Sequence, residues 1–273
     1  MDTTTQSYTA RFLPLAIICA LFATTCLGIA ACATEAPVSR YEGLPRRFES
    51  SFESVDDFAD FHMESGERYE SSQEQSDERV FHGDYSHKAW IIAARDSDNE
   101  SSPAYLPHRA YPTIQFQKTA DRAFRGPCLV SLYVWLDMVL EDRPEGQIDD
   151  WFSLATLSPD PSDNWNRTVL ANLAPDGYLR LVHVPSQGRQ EHIEQRVDIL
   201  IDFDAEEGYA TVWQNGEKLS HAKVEGGSGY LEQAHFGLYA SAAIAEGVVY
   251  NDKLRILEDV NPGDVEELVN NNW

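Results

Sequence analysis

The sequence is poor in the residues that build disulfide scaffolds and metal clusters. It has four cysteines in 273 residues, and three of them, Cys19, Cys26 and Cys32, fall in the first 32. Beyond them only Cys128 remains, so a domain stapled by its own disulfides is excluded and a hydrophobic core must hold the chain together. No Cys/His pair stands at zinc spacing. Basic residues are also scarce: Lys+Arg number 21 against 45 Asp+Glu, a formal net charge of −24. Such a chain repels phosphate backbones, which excludes a nucleic-acid partner. It also disfavours dense polyanions, unless positive charge is focused locally. Self-similarity at a period of roughly 20–50 residues is lacking too, which excludes solenoids and propellers. With 42% hydrophobic residues the length suits one large domain.

One long uncharged run is present, from Phe12 to Ala31. It has the length of a membrane-spanning helix and the composition of a secretory signal. It ends in Ile29-Ala30-Ala31-Cys32, which resembles the bacterial lipobox. That resemblance implies cleavage before Cys32 and lipidation of its thiol. The expected organisation is a signal peptide over 1–31, a lipidated tether over 32–47, a sandwich domain over 48–259 and an acidic tail over 260–273 with a short helix. An uncleaved anchor is the competing reading. Either places the rest outside the cytoplasm, and lipidation places it on the cell envelope, at the outer membrane or cell surface.

Beyond the tether the pattern alternates. Val130, Leu132, Val134, Leu136 and Met138 share one parity, and Ser131, Tyr133, Trp135 and Asp137 the other. This predicts a strand with one apolar face and one polar–aromatic face. Residues 111–117 predict another, with Pro112 at its start or edge. Ile199, Ile201 and Phe203 alternate with Asp198, Leu200, Asp202 and Asp204. Asn215-Gly216 between two alternating runs signals a tight hairpin, because both residues tolerate positive φ. Residues 234–241 and 247–257 give two more strands, with Val248, Tyr250, Leu254 and Ile256 on one parity. Further strands are expected at Ser51–Glu53, Val80–His82, Lys88–Ala94, Trp151–Leu157, Thr168–Leu173 and Tyr178–Val184. Helical signals are limited to 54–61 and 264–270. The fold class is therefore all-β, an antiparallel β-sandwich with few short helices.

FES at 48–50, HGDYSHKAWIIAA, the Asn-Gly hairpin and the closing HFGLYAS and VVYNDKLRIL resemble the concanavalin A-like jelly-roll superfamily of lectins, glucanases and polysaccharide lyases. The resemblance implies two stacked sheets and a sugar site on a concave face. A polysaccharide or oligosaccharide is thus the expected partner, besides the membrane reached through Cys32. A monomer is expected.

The candidate glycan-binding residues are Tyr111, Gln115, Tyr133, Trp135 and Asp137, because rings pack on sugar C–H faces while amides and carboxylates bond hydroxyls. A polysaccharide lyase on the same fold is the first alternative. It needs a group that quenches a uronate carboxylate, a base and an acid. Arg109 or Gln115, His108 or His183, and Tyr111 or Tyr239 are the candidates in turn. In the alginate-lyase-like relatives that the resemblance implies, a Gln-x-His strand carries part of this, and YPTIQFQ has no histidine at that place. A glycoside hydrolase using Asp198, Asp202 and Asp204 is a weaker alternative, and a structural surface lipoprotein without ligand is a third. No cofactor is required. Structural calcium is the one candidate ion, with Glu53 and Asp252 as its ligands. Cys128 reads as a small buried apolar group.

Overall fold

Alternating runs become strands throughout the described part of the chain. The computed structural model describes residues 47–54, 61–62, 71–91, 108–115, 123–147, 149–160, 167–186, 191–193, 199–241 and 243–273, with backbone alone at 61–62, 71, 108–115 and 191–193. All belong to the unit Ser39–Trp273. The signal segment, Cys32, the tether up to residue 46 and Asp198 lie outside the described residues, as does most of the helical signal at 54–61. Among the described residues no helix is long and apolar enough to cross a membrane.

The strands are β1 (Arg47–Ser50), β2 (Phe61–His62), β3 (Ser71–Ser76), β4 (Ser86–Ile91), β5 (His108–Gln115), β6 (Phe124–Arg125), β7 (Cys128–Asp137), β8 (Phe152–Ser158) and β9 (Thr168–Leu173). There follow β10 (Leu179–Val184), β11 (Glu191–Ile193), β12 (Leu200–Asp202), β13 (Tyr209–Gln214), β14 (Glu217–Lys223), β15 (Tyr230–Leu231), β16 (Gln233–Ser241) and β17 (Val248–Leu257). A 3-10 turn (Pro262–Asp264) leads into helix α1 (Val265–Asn270). One sheet runs β14-β13-β12-β7-β17-β4-β3, with β1 also paired to β17; a second runs β11-β10-β9-β8-β16-β5-β2; β6 and β15 form a small ribbon. The pairs are antiparallel. The Asn215-Gly216 turn joins β13 to β14 with φ of 54° and 82°, the left-handed pair that a two-residue hairpin needs.

The main core lies between the sheets. Val130, Ile201, Val212, Leu254 and Ile256 of the first sheet meet Leu157, Val169, Leu181 and Phe236 of the second. Each such side chain contributes about 1.5–3 kcal/mol on leaving water. Cys128 is fully buried within this core, its thiol donating to the carbonyl of Arg125 at 3.0 Å, and burial pushes the thiol pKa well up. A second cluster covers the outer side of the first sheet. There α1 lays Val265, Leu268 and Val269 on Leu129, Leu200 and Trp213.

Three sequence expectations need correction. Ser51–Glu53 and Val80–His82 are not strands. Residues 77–84 form bends whose N–H groups bond carboxylates instead of a ladder. The parity expected for residues 248–256 also breaks. Tyr250 pairs with outward-facing Trp135, whereas Leu254 and Ile256 point into the core. The register shifts between Asp252 and Arg255, where Lys253 takes φ 46°. One extra residue in β17 exchanges its two faces.

His87 of β4 is a fully buried polar group on the core side. With the proton on Nε2 it donates to Gln73 Oε1 at 2.6 Å, and Nδ1 accepts from Asn251 Nδ2 at 3.2 Å. Burial drives its pKa down from 6.5 to about 3. The folded state therefore holds the ring neutral while the unfolded chain takes up a proton below the ordinary value. Stability should be fully present above about pH 6.5 and fall by about 1.4 kcal/mol per pH unit below it. Urea unfolding between about pH 6.5 and pH 5 should show this slope in the wild type and lose it in His87→Gln. An unchanged slope in the variant would contradict the assignment.

Candidate functional site

The outward face of β7 carries Tyr133, Trp135 and Asp137, as the alternation predicts. Across the first sheet Glu74, Lys88, Tyr250 and Trp135 lie side by side in register. Glu78 closes this row from above, bonded to Lys88 at 2.8 Å and to the Tyr250 hydroxyl. Residues 77–85 fold across the face. Phe81 stacks on Tyr133 with ring centres 3.4 Å apart, and the Arg79 guanidinium sits 4.6 Å from the Trp135 ring centre. Tyr133 is thus covered by a ring of the protein's own, while Phe81 and Trp135 remain 54% and 41% exposed.

Two carboxylates hold this loop. Asp252 Oδ2 accepts the N–H groups of Phe81 and His82 at 2.7 and 2.8 Å. Glu53 accepts that of Asp84 at 3.0 Å. Gly83 takes φ 81°, which favours glycine, and a Cβ there would displace the Glu53 carboxylate from the loop. The calcium candidates Glu53 and Asp252 therefore bind backbone. Among the described residues no group of three or more His, Cys, Asp or Glu side chains could hold a metal ion.

Gln115 and Tyr111 do not share this face. They lie on β5, in the other sheet, so the structure does not bring the five candidate glycan residues into one groove. The side chains of His108, Arg109, Tyr111 and Gln115 lie outside the described residues. Their backbone register is clear: Gln115 stands opposite His235, Arg109 opposite Ala240 and His108 opposite Ser241.

The non-core face of this second sheet is polar apart from the buried Leu170 and Val182 of β9 and β10. Along β16, Ala234, Phe236, Leu238 and Ala240 enter the core, which turns Gln233, His235 and Tyr239 the other way. Across β8 and β9 the same face carries Ser153, Thr156, Ser158, Thr168 and Asn172, and β10 adds Arg180. The register sets His235 beside Thr156, Gln233 beside Ser158, and Asn172 between Ser153 and Arg180. Most of these side chains are buried. Tyr239 meets Trp151 edge-on, ring centres 5.1 Å apart. Asn172 is 7% exposed, and its Oδ1 is buried without a hydrogen-bond donor. A buried, unpaired carbonyl costs about 1–3 kcal/mol.

Other candidates serve local structure. Asp202 Oδ1 accepts the Asp204 N–H, and Asp204 Oδ1 accepts those of Glu206 and Glu207, so the two shape one turn. His183 Nε2 accepts the Glu225 N–H at 3.2 Å. His235, Tyr239 and Asn172 were readable in HFGLYAS and TVLANL as the polar parity of alternating runs.

No protein-family model and no curated protein matches the chain. Among solved structures it is similar to an endo-β-1,4-glucuronan lyase from the fungus Trichoderma reesei, with a TM-score of 0.44 and 14% identity over 69% of this chain and 87% of that one. It is also similar to the receptor-binding domain of botulinum neurotoxin type G, with a TM-score of 0.38 and 11% identity over 74% of this chain and 46% of that one. The sandwich itself is read from the strand pairing.

If Asp252 staples the loop, Asp252→Ala should lower stability by about 1–3 kcal/mol in urea unfolding. The wild-type melting temperature should be the same with calcium as with chelator. A calcium-dependent rise would restore Glu53 and Asp252 as ligands.

Proposed function

We propose that the protein binds a polysaccharide on the polar face of the seven-stranded sheet, and is carried on the cell envelope by lipid on Cys32. The observation that carries this reading is the buried Asn172 carbonyl without a donor, set among hydroxyl, imidazole and guanidinium groups. A sugar hydroxyl supplies the missing donor, beside Ser153, whose Oγ also meets the Ala155 carbonyl and Thr156 Oγ1, and Arg180, which pairs with Asp176 at 2.6 Å. Tyr239 and Trp151 offer rings for the sugar's C–H face. Trp135, with Arg79 over its ring, is a secondary contact in this reading.

Retention on a panel of insoluble polysaccharides tests the site. Asn172→Val should weaken binding at least about tenfold while keeping or raising the melting temperature, since it removes an unsatisfied buried group. Retention equal to wild type would overturn the site. The anchor is tested separately: Cys32→Ser should move the protein from the membrane fraction to the soluble one.

A second reading, a polysaccharide lyase, is favoured by the register of Gln115 beside His235, with Tyr239 further along the same face of β16. Gln115 would bond the uronate carboxylate. His235 would take the proton α to it, and Tyr239 would protonate the departing glycosidic oxygen as the double bond forms. The net charge of −24 opposes a polyuronate substrate. Ultraviolet absorbance from an unsaturated product, lost in His235→Ala, would establish turnover. No absorbance on any polyuronate would leave binding alone.

A further inference from the structure

The bulge at Lys253 turns Arg255 outward into an unusual setting. Its side chain is 1% exposed, yet it forms no ion pair among the described residues. Glu49, its cross-strand neighbour on β1, is paired with Arg47 at 2.8 Å. Arg255 Nε has no acceptor. The terminal nitrogens donate to two residues: Nη1 to the carbonyl of Asn272 at 3.1 Å, and Nη2 to Asn272 Oδ1 at 3.0 Å and to Ser131 Oγ at 3.1 Å. Trp273 lies over the guanidinium at 4.7 Å, with Arg47 5.6 Å from the same ring.

Burying a cation without a counter-ion is costly, by several kcal/mol, and burial lowers the Arg255 pKa accordingly. Two neutral oxygens from one residue stand on the two nitrogens where a carboxylate would place its own pair. Asn272 does so from φ 53°, a left-handed conformation. Arg255 also lines a cavity of about 740 Å³ whose wall is largely apolar, with Leu132, Leu154, Ile199 and Phe236, and includes Ser131, Tyr133, Gln214 and Trp273. That is room for a ring-sized ligand.

We propose that Arg255 is an anion site for a carboxylate-bearing sugar unit of the uronic acid class, and that Asn272 and Trp273 occupy it in the ligand's absence. The site is separate from the polar face of the seven-stranded sheet. It is also the local focus of positive charge that lets so acidic a chain accept a carboxylate. The carboxylate takes the fork from Asn272, and Trp273 swings clear of the guanidinium.

Calorimetric titration of the full chain with glucuronate tests this, with glucose as the neutral control. Wild type should bind glucuronate and not glucose, with a change in tryptophan fluorescence. Asn272→Gly and Trp273→Ala should each tighten binding, by about tenfold if the placeholder dominates. Arg255→Lys, which keeps the charge and loses the fork, should weaken it by about as much, and Arg255→Gln should abolish it. Asn172→Val should leave it unchanged, which separates this site from the proposed polysaccharide face. The proposal is overturned if wild type and Trp273→Ala both fail to bind, if glucose binds equally, or if Arg255→Lys binds like wild type. The last comparison stands even where Arg255→Gln fails to fold.

Discussion

The structure depends on the alternation of side chains along β7 and β17, the central pair of the eight-stranded sheet. Their inward positions fill the space between the sheets, and their outward positions carry Tyr133, Trp135, Tyr250 and Arg255. A one-residue slip would exchange the faces of either strand. The chain makes that exchange once, at Lys253, and so keeps Val249 and Leu254 both inside although their spacing is odd. The same irregularity delivers Asp252 and Arg255 to the outside. Asp252 anchors the loop over Tyr133, and Arg255 is sealed under the residues after α1.

Acidic surplus is used as structural material here. Carboxylates at Glu53, Asp202, Asp204 and Asp252 accept backbone N–H groups in loops, where a ladder partner is missing. This satisfies loop donors, and it fixes rings such as Phe81 over an exposed sheet face. The cationic side chains are correspondingly committed: Lys88 to Glu78, Arg143 to Asp150 at 2.6 Å, Arg125 to Asp259 at 2.6 Å. Arg255 has no ion pair among the described residues, and Asn172 Oδ1 has no donor. Both are polar groups the folded chain leaves short of a partner, on two different faces.

Period-two runs made most of the architecture legible. β7, β8, β9, β10 and β16 begin and end within a residue or two of where the alternation places them, and the Asn215-Gly216 hairpin is as expected. What stayed hidden was pairing between distant strands. Nothing local in YPTIQFQ or LYVWLDM says that these segments belong to different sheets, so the five-residue groove expected from their polar parities does not form. The bulge in β17 was equally hidden, because a lysine carries no sign of a left-handed backbone. The polar face of β8, β9 and β16 could have been found. Serine, threonine and asparagine opposite apolar residues look like an ordinary solvated face, and only their burial marks them out.

Amide hydrogen exchange with and without a bound polysaccharide tests the central claim most directly, because it reports every strand at once. Added protection should fall on β8, β9 and β16, around Ser153, Asn172 and His235, with little change along β7 beyond Trp135. Protection confined to residues 77–85 and the outward face of β7, with β8 and β9 unchanged, would place the sugar on the aromatic face and contradict the account.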